Sequence, residues 1–291
     1  MNRLKVIQLL PELNIGGVER GTRDFSEVLI SQGHESIVIS NGGIFEKDII
    51  DHGGKHIKIP IHKKSFFSLL LSKQLKLIYE QEKPDIVHVR SRMPAWINYY
   101  AFKKLKKKPI LVSTFHGLYS TPLYSQVMSK VDHTIAISNT VKEYIINTYK
   151  VDEKNITTIP RGCDTQHFNR NEIAQEWVDA WFEEFPETKN KIILTLPTRV
   201  SKWKGLDSFI ELISKLDCTI FHGLIVGPTS SSKKRYLNSL IQKTRDLGIS
   251  KNLLGIIWPY ATTTTISGFN ELKNLNSRSL SKVLGLSLIH I

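Results

Sequence analysis

Lys5-Val6-Ile7-Gln8-Leu9-Leu10-Pro11-Glu12-Leu13-Asn14-Ile15-Gly16-Gly17-Val18-Glu19 begins as a short apolar run and turns, through a glycine pair, into a helical pattern. A run of that length without alternation suits a parallel strand covered on both faces. Gly16 and Gly17 place backbone amides at the N-terminus of a helix predicted over 18–32, where unpaired N–H groups and the helix dipole favour an anion. A glycine pair in such a turn serves equally as plain loop geometry. The same grammar returns far downstream. Lys191 to Leu196 reads as a strand, followed by Pro197-Thr198-Arg199-Val200-Ser201-Lys202-Trp203-Lys204-Gly205 and a helix. One unit offers amides and the other offers cations, and together they suit an anionic ligand.

Strands and helices alternate outward from the first stretch. Strands are expected at 5–10, 34–40, 55–61, 85–89, 110–115 and 134–137, and helices at 18–32, 66–81, from Pro94, and at 140–149. In the first helix Val18, Phe25, Val28 and Leu29 share a face, with Gly21 and Thr22 between them, and Gly33 stops it. Thr140 and Glu143 have capping-box spacing. This βαβ rhythm predicts an α/β fold with a doubly wound parallel sheet. The aromatic-rich segment 172–185 reads as a helix bridging two domains. Strand 191–196, helix 205–216, strand 219–226 and helix 233–247 repeat the unit, with Gly227-Pro228 closing the second strand. The expected division is an N-terminal domain over 1–165, a linker over 166–190 and a partial second domain over 191–254. A divergent tail follows over 255–291. After Leu254 the text loses its period, and the second domain holds about half the strands of a doubly wound sheet. That pattern reads as a chain cut short by a frameshift or read-through.

The 291 residues, 41% of them hydrophobic, can fill two cores. No apolar run is long enough to cross a bilayer, and Met1-Asn2-Arg3-Leu4-Lys5 passes straight into a strand, leaving no room for a signal peptide. Two cysteines, Cys163 and Cys218, make neither a disulfide framework nor a four-cysteine metal site, so a reducing cytoplasm is expected. The 40 Lys and Arg against 27 Asp and Glu leave a net charge of +13. Such an excess raises nucleic acid, an anionic membrane and a phosphorylated small molecule as partners. The densest run, Lys103-Lys104-Leu105-Lys106-Lys107-Lys108, is either a solvated helix end or a membrane-facing patch. Nucleic acid ranks last, because no aromatic-basic stacking platform accompanies the charge.

Arg199 and Lys204 follow a strand and precede a helix. Arg can fork two phosphate oxygens and Lys supplies a mobile point charge, although both types are also common as solvated loop cations. His116 directly follows strand 110–115, at the edge where parallel sheets bind ligands, and His88-Val89-Arg90-Ser91-Arg92 ends the neighbouring strand in the same way. A lone histidine there is also often structural. A nicotinamide enzyme is unlikely on two grounds: Gly-x-Gly-x-x-Gly is absent, and Ile39-Ser40-Asn41 lacks the ribose-binding carboxylate. Neither metal-ligand spacing nor a Gly-x-Ser-x-Gly elbow occurs.

Six motifs stand in an order that resembles family-four glycosyltransferases of GT-B fold, over about residues 1–250. They are Gly16-Gly17-Val18-Glu19, Asp85 to Arg92, Ser113-Thr114-Phe115-His116-Gly117, Ala136-Ile137-Ser138-Asn139, Ile159 to Phe168, and Arg199 to Gly205. Leu224-Ile225-Val226-Gly227-Pro228 is similar to the family's next donor-side loop, lacking a residue or two. The resemblance implies two Rossmann-like domains and transfer of a sugar from a nucleotide donor to an acceptor hydroxyl with retention, without cofactor or metal. Arg199 and Lys204 would hold the donor diphosphate, Gly16 and Gly17 would approach it, and His116 would lie beside the anomeric centre. Gly227 falls on the donor side, and Glu19, Arg90 and Arg92 on the acceptor side. The Arg90-Ser91-Arg92 turn resembles members that act in bacterial surface polysaccharide or lipopolysaccharide synthesis. A saccharide or lipid-linked acceptor, and a place in the cytoplasm or on the cytoplasmic face of the inner membrane, are the expectations that follow.

Several departures qualify the resemblance. Arg161 and Cys163 stand where the family usually has Asn and Val, and Thr198 replaces a usual glycine. The family's Glu-x7-Glu pair belongs beyond Leu254 and is missing. Glu19/Glu27 and Glu176/Glu184 have its spacing in the wrong places. The alternative reading is a fragment that binds acceptor or partner without turnover.

Overall fold

The computed structural model describes residues 3–163, 165 and 174–259. It divides into two compact units, Met1–Gly162 and Cys163–Ile291. The first is built on seven parallel strands in the order β3-β2-β1-β4-β5-β6-β7. These are β1 (Lys5–Leu9), β2 (Glu35–Ser40), β3 (Lys55–Lys58), β4 (Ile86–Val89), β5 (Ile110–Phe115), β6 (His133–Ala136) and β7 (Ile156–Thr158). The winding reverses at β1, which pairs with β2 on one side and β4 on the other, aligning Gln8 with both Val38 and His88. Ligands of doubly wound sheets bind beyond the carboxyl ends of strands at such a reversal.

Helix α1 (Gly17–Ser31) differs from the amphipathic reading. It buries Thr22, Ser26 and Leu29, while Phe25 and Val28 are exposed. The small face lets the helix approach the sheet closely: Ser26 Oγ lies 2.7 Å from Ser36 Oγ on β2, and Thr22 accepts on its carbonyl from Gln8 Nε2 at 3.2 Å. Gly33, at a φ of 79°, ends the helix as expected, in the left-handed region that favours glycine. A short α2 (Glu46–Asp51) and the strand β7 have no counterpart in the sequence reading. Both are brief and have few apolar residues to mark them.

The expected helix 66–81 is a 3₁₀ turn over Phe66–Leu70, capped by Ser65, followed by α3 (Leu71–Glu82). Helices α4 (Arg92–Phe102), α5 (Pro122–Ser125) and α6 (Asn139–Tyr149) complete the unit. The capping box on Thr140 does not form. Ser138 is the N-cap of α6, and its side chain accepts from Val141 N at 3.2 Å.

The second unit has three parallel strands in the order β10-β9-β8, namely β8 (Ile192–Pro197), β9 (Phe221–Thr229) and β10 (Leu253–Pro259). The segment read as a bridge is, over α7 (Gln175–Glu184), a layer of this unit. Its Trp181, with the following Phe185, packs on Leu224, Val226 and Leu254. The opposite face, with Ile225 and Leu253, is covered by α8 (Leu206–Ser214) and α9 (Lys234–Asp246). Gly227-Pro228 does not close β9. The strand continues to Thr229, pairing Gly227 with Ile257 and Pro228 with Trp258, and the Pro228 carbonyl still accepts from Val200 N at 3.0 Å. Strand β10 likewise runs through Leu254, because pairing on β9 holds its backbone where the sequence loses its pattern. The tail from 260 onward and the motif residues 166–168 lie outside the described residues.

The cap assignment is testable. Ser138→Ala should lower unfolding free energy by about 1 kcal/mol in urea denaturation, with Thr140→Ala costing clearly less. A larger loss at Thr140 than at Ser138 would restore the capping box.

Candidate active site

The carboxyl ends of β1, β4 and β5 bring together residues far apart in sequence. Arg90, just past β4, is buried beside β1, where its Nη1 donates to Gln8 Oε1 at 2.6 Å and to the Gly21 carbonyl at 3.4 Å. Its Nε has no hydrogen-bond partner among the described residues. Burial, and then the Arg161 charge, lower its pKa to about 10, while the Glu19 carboxylate acts in the opposite direction. Arg90 therefore remains a cation at neutral pH.

Arg161 comes from the last residues of the unit. It donates through Nη1 to the Gly17 carbonyl and through Nη2 to His116 Nδ1 at 2.8 Å. A guanidinium carries donors only, so His116 Nδ1 must accept. The proton of the neutral imidazole then sits on Nε2, which is buried and has no protein partner among the described residues. Burial first, then the charges of Arg90 and Arg161, lower the pKa of His116 to about 3. His88 is held well below its usual value by burial, Arg90 and His116, and its Nε2 lies 2.7 Å from Thr114 Oγ1. His116 is thus a hydrogen-bond donor at the sheet edge, with the lone pair a base would use already occupied.

The bare Cα atoms of the glycine pair leave room in which the ends of the Glu19 and Arg161 side chains lie. Gly16 is extended, at a φ of 176°, which any residue adopts. A Cβ there would fall 2.1 Å from Glu19 Oε2, and one on Gly17 would fall 3.0 Å from Arg161 Nη1. Arg92 stands apart from this group. Its guanidinium lies over the rings of Tyr119 and Tyr124, 4.9 and 5.4 Å from their centroids, and donates to Thr121 Oγ1 at 3.0 Å. The acceptor-side residues of the sequence reading therefore fall into two places, Glu19 with Arg90 and Arg92 alone.

In the second unit, Arg199 and Lys204 converge on one exposed ring. Arg199 Cζ is 5.3 Å and Lys204 Nζ 4.1 Å from the Trp203 centroid. Among the described residues neither cation is within ion-pair distance of a carboxylate. Gly227 lies beneath this loop. Thr198 N donates to the Val226 carbonyl at 2.8 Å, and a Cβ on Gly227 would fall 1.9 Å from Thr198 O. Gly227 therefore sets the height of the cationic loop over the sheet. Gln8, Arg161 and Trp203 were missed as site residues. Only Arg161 carried a signal, its departure from the family's asparagine. Among the described residues no three His, Cys, Asp or Glu side chains stand together as metal ligands.

Residues 15–167, more than half of the chain, match the model of Glycosyltransferase Family 4. The chain belongs to that family. A crystal structure of a glycosyltransferase from Rickettsia africae ESF-5 shares 31% identity and a TM-score of 0.76, over 88% of this chain and 69% of that one. Anabaena HepE, crystallised with UDP and glucose, shares the fold at 15% identity and a TM-score of 0.71, over 88% and 70% of the two chains. The lipopolysaccharide outer core galactosyltransferase WaaB shares it at 16% identity and 0.60, over 88% and 68%. These neighbours identify the fold as GT-B. The chain spans 30% and 51% of the length of the two curated relatives it matches.

The tautomer and the proton balance can be measured. Nitrogen-15 NMR of labelled histidines should show His116 neutral at pH 5, with its proton on Nε2. The folded protein keeps His116 and His88 neutral, whereas the unfolded chain protonates them near 6.5. Stability is therefore full above that pH and declines below it, toward pH 3 for His116, by up to ~1.4 kcal/mol per pH unit for each histidine. A His116 signal that titrates near its usual value would refute the Arg161 contact.

Proposed function

We propose that this chain transfers a sugar from a nucleotide-sugar donor to a hydroxyl of a saccharide or lipid-linked acceptor, with retention at the anomeric carbon. The observation that carries this reading is the pair of cations, Arg199 and Lys204, gathered on Trp203 at the carboxyl edge of β8 without a carboxylate partner among the described residues. In such a transfer the bond from the sugar C1 to the diphosphate oxygen breaks and its electron pair stays on the phosphate. Charge grows there, and fixed cations stabilise the transition state more than the ground state. The acceptor oxygen bonds to C1 on the same face, and its proton leaves to the departing phosphate. This route needs no protein base, which fits a His116 whose Nδ1 is engaged by Arg161. The reading gives the buried Nε2–H of His116, without a partner among the described residues, the role of orienting a sugar hydroxyl. The reading assigns no metal, since Arg and Lys supply the positive charge.

The UDP bound by HepE and the lipopolysaccharide role named for WaaB support a nucleotide donor and a cell-surface polysaccharide product. The acceptor side of this reading is Arg90, Glu19 and Arg92, and the cytoplasm is its expected place of action.

Calorimetry with UDP tests the donor side. Arg199→Ala and Lys204→Ala should each weaken binding by about tenfold or more, the loss of a charged hydrogen bond being worth roughly 1.5–3 kcal/mol. Unchanged affinity in both would remove the donor-site assignment. His116→Ala should reduce turnover of the nucleotide sugar while leaving UDP affinity within about threefold; undiminished turnover would return His116 to a purely structural role.

A further inference from the structure

Two guanidiniums are held close together at the start of α1. Arg161 Nη1 lies 3.0 Å from where a Cβ on Gly17 would stand, and 3.7 Å from the same point on Gly21, about one helical turn further on. Arg90 Nη2 is 3.5 Å from that point on Gly21, so both guanidiniums border the bare strip of helix that the two glycines leave. The like charges are felt, since Arg161 lowers the pKa of Arg90. The N-terminus of a 15-residue helix adds positive potential of its own, and Gly16 supplies no side-chain cap.

The acids of this helix do not neutralise the strip. Asp24 and Glu27 pair with Arg20 and Arg23, and among the described residues no carboxylate is within ion-pair distance of Arg90 or Arg161. Glu19 offsets Arg90 through its field, one negative charge against two positive ones. Arg90 is only 9% exposed, and its Nε has no hydrogen-bond partner among the described residues, nor has His116 Nε2. Burying one cation beside another is costly, and an opposite charge offsets that cost. Gly17 and Arg161 are exposed, so the strip is open to solvent, and all these residues belong to the first unit.

We propose that the acceptor is an acidic saccharide whose carboxylate or phosphate oxygens are bound over Gly17 and Gly21 by Arg161, with Arg90 behind it. Arg161 offers the accessible donors, and Arg90 supplies a buried charge that favours an anion over a neutral hydroxyl. The donor diphosphate has its own cations in Arg199 and Lys204 of the second unit, which leaves this pair for the other substrate. A side chain on either glycine would take up the space the anion needs. The inference rests on the proposed transfer for the role of acceptor. The preference for an anion is a property of the first unit alone.

The test is titration of the full chain, labelled with nitrogen-15, with glucose, glucuronate and glucose 6-phosphate, following the amide signals of Gly17 and Gly21 by NMR. One of the acidic sugars should bind at least about tenfold more tightly than glucose, and less tightly as salt rises. The tighter of the two tells carboxylate from phosphate. Arg161→Gln should remove the preference and Arg161→Lys should keep part of it, both with an unchanged circular dichroism spectrum. In Arg161→Gln the affinity for UDP should stay within about threefold of wild type. Equal binding of the three sugars, binding of none, or a preference that survives Arg161→Gln overturns the proposal. So does acetate or inorganic phosphate binding as tightly as the sugar that carries the same group, which would make the strip a bare anion site. Lost UDP affinity in Arg161→Gln, without any preference among the sugars, would assign the two guanidiniums to the donor diphosphate instead. Failure of the wild type to bind UDP would count against the transfer reading alone, since the sugar titration is read on the first unit.

Discussion

A guanidinium buried at the reversal of the first sheet constrains everything around it. A charge in the interior is tolerated only with close hydrogen-bond partners. Arg90 has one in Gln8, a polar residue in the middle of an apolar strand, brought level with β4 by the parallel register. The same Gln8 reaches the other way to the Thr22 carbonyl of α1. One side chain thus holds β1, α1 and the loop after β4 in fixed relation. The small inner face of α1, with Gly21, Thr22 and Ser26, is what allows the helix so near.

The electrostatics of the edge follow from that placement. Arg90 and Arg161 put two positive charges near His116, and a third in its ring would add repulsion to the cost of burial. The imidazole is therefore kept neutral, and Arg161 determines which nitrogen carries the proton. Glu19, in the first turn of α1, partly offsets the charge on Arg90. The outcome is a cluster that is positive overall, holds a buried N–H without a partner among the described residues, and offers no free basic nitrogen on His116.

The architecture of this molecule was legible where the physics is local and repeated. Apolar runs separated by helix periods gave the strands β1 to β6, β8 and β9 within a few residues, and Arg199 and Lys204 were found because a strand end and a helix start bracket them. What sequence could not show is what distant residues do to one another. Phe25 and Val28 looked like a core face because they are apolar, yet α1 buries its small residues for the sake of close approach. Gln8 was read only as part of the first strand. Arg161 was visible only as a departure from a family pattern, since its partners are 144 and 45 residues away. The capping of α6 was misplaced by two positions, because Ser138 and Thr140 are both plausible caps and only backbone geometry decides between them.

The contact beneath the cationic loop bears on how such a site can change over time. The backbone at Thr198 is pressed against β9, its N–H donating to the Val226 carbonyl. The bare Cα of Gly227 supplies the clearance from across the ladder. What a Cβ at 227 would meet is backbone, the carbonyl of residue 198, so the requirement for a bare Cα falls on position 227 itself. The path of the cationic loop is thus held by contacts of its backbone with β9, and the side chain at 198 takes no part in that clearance.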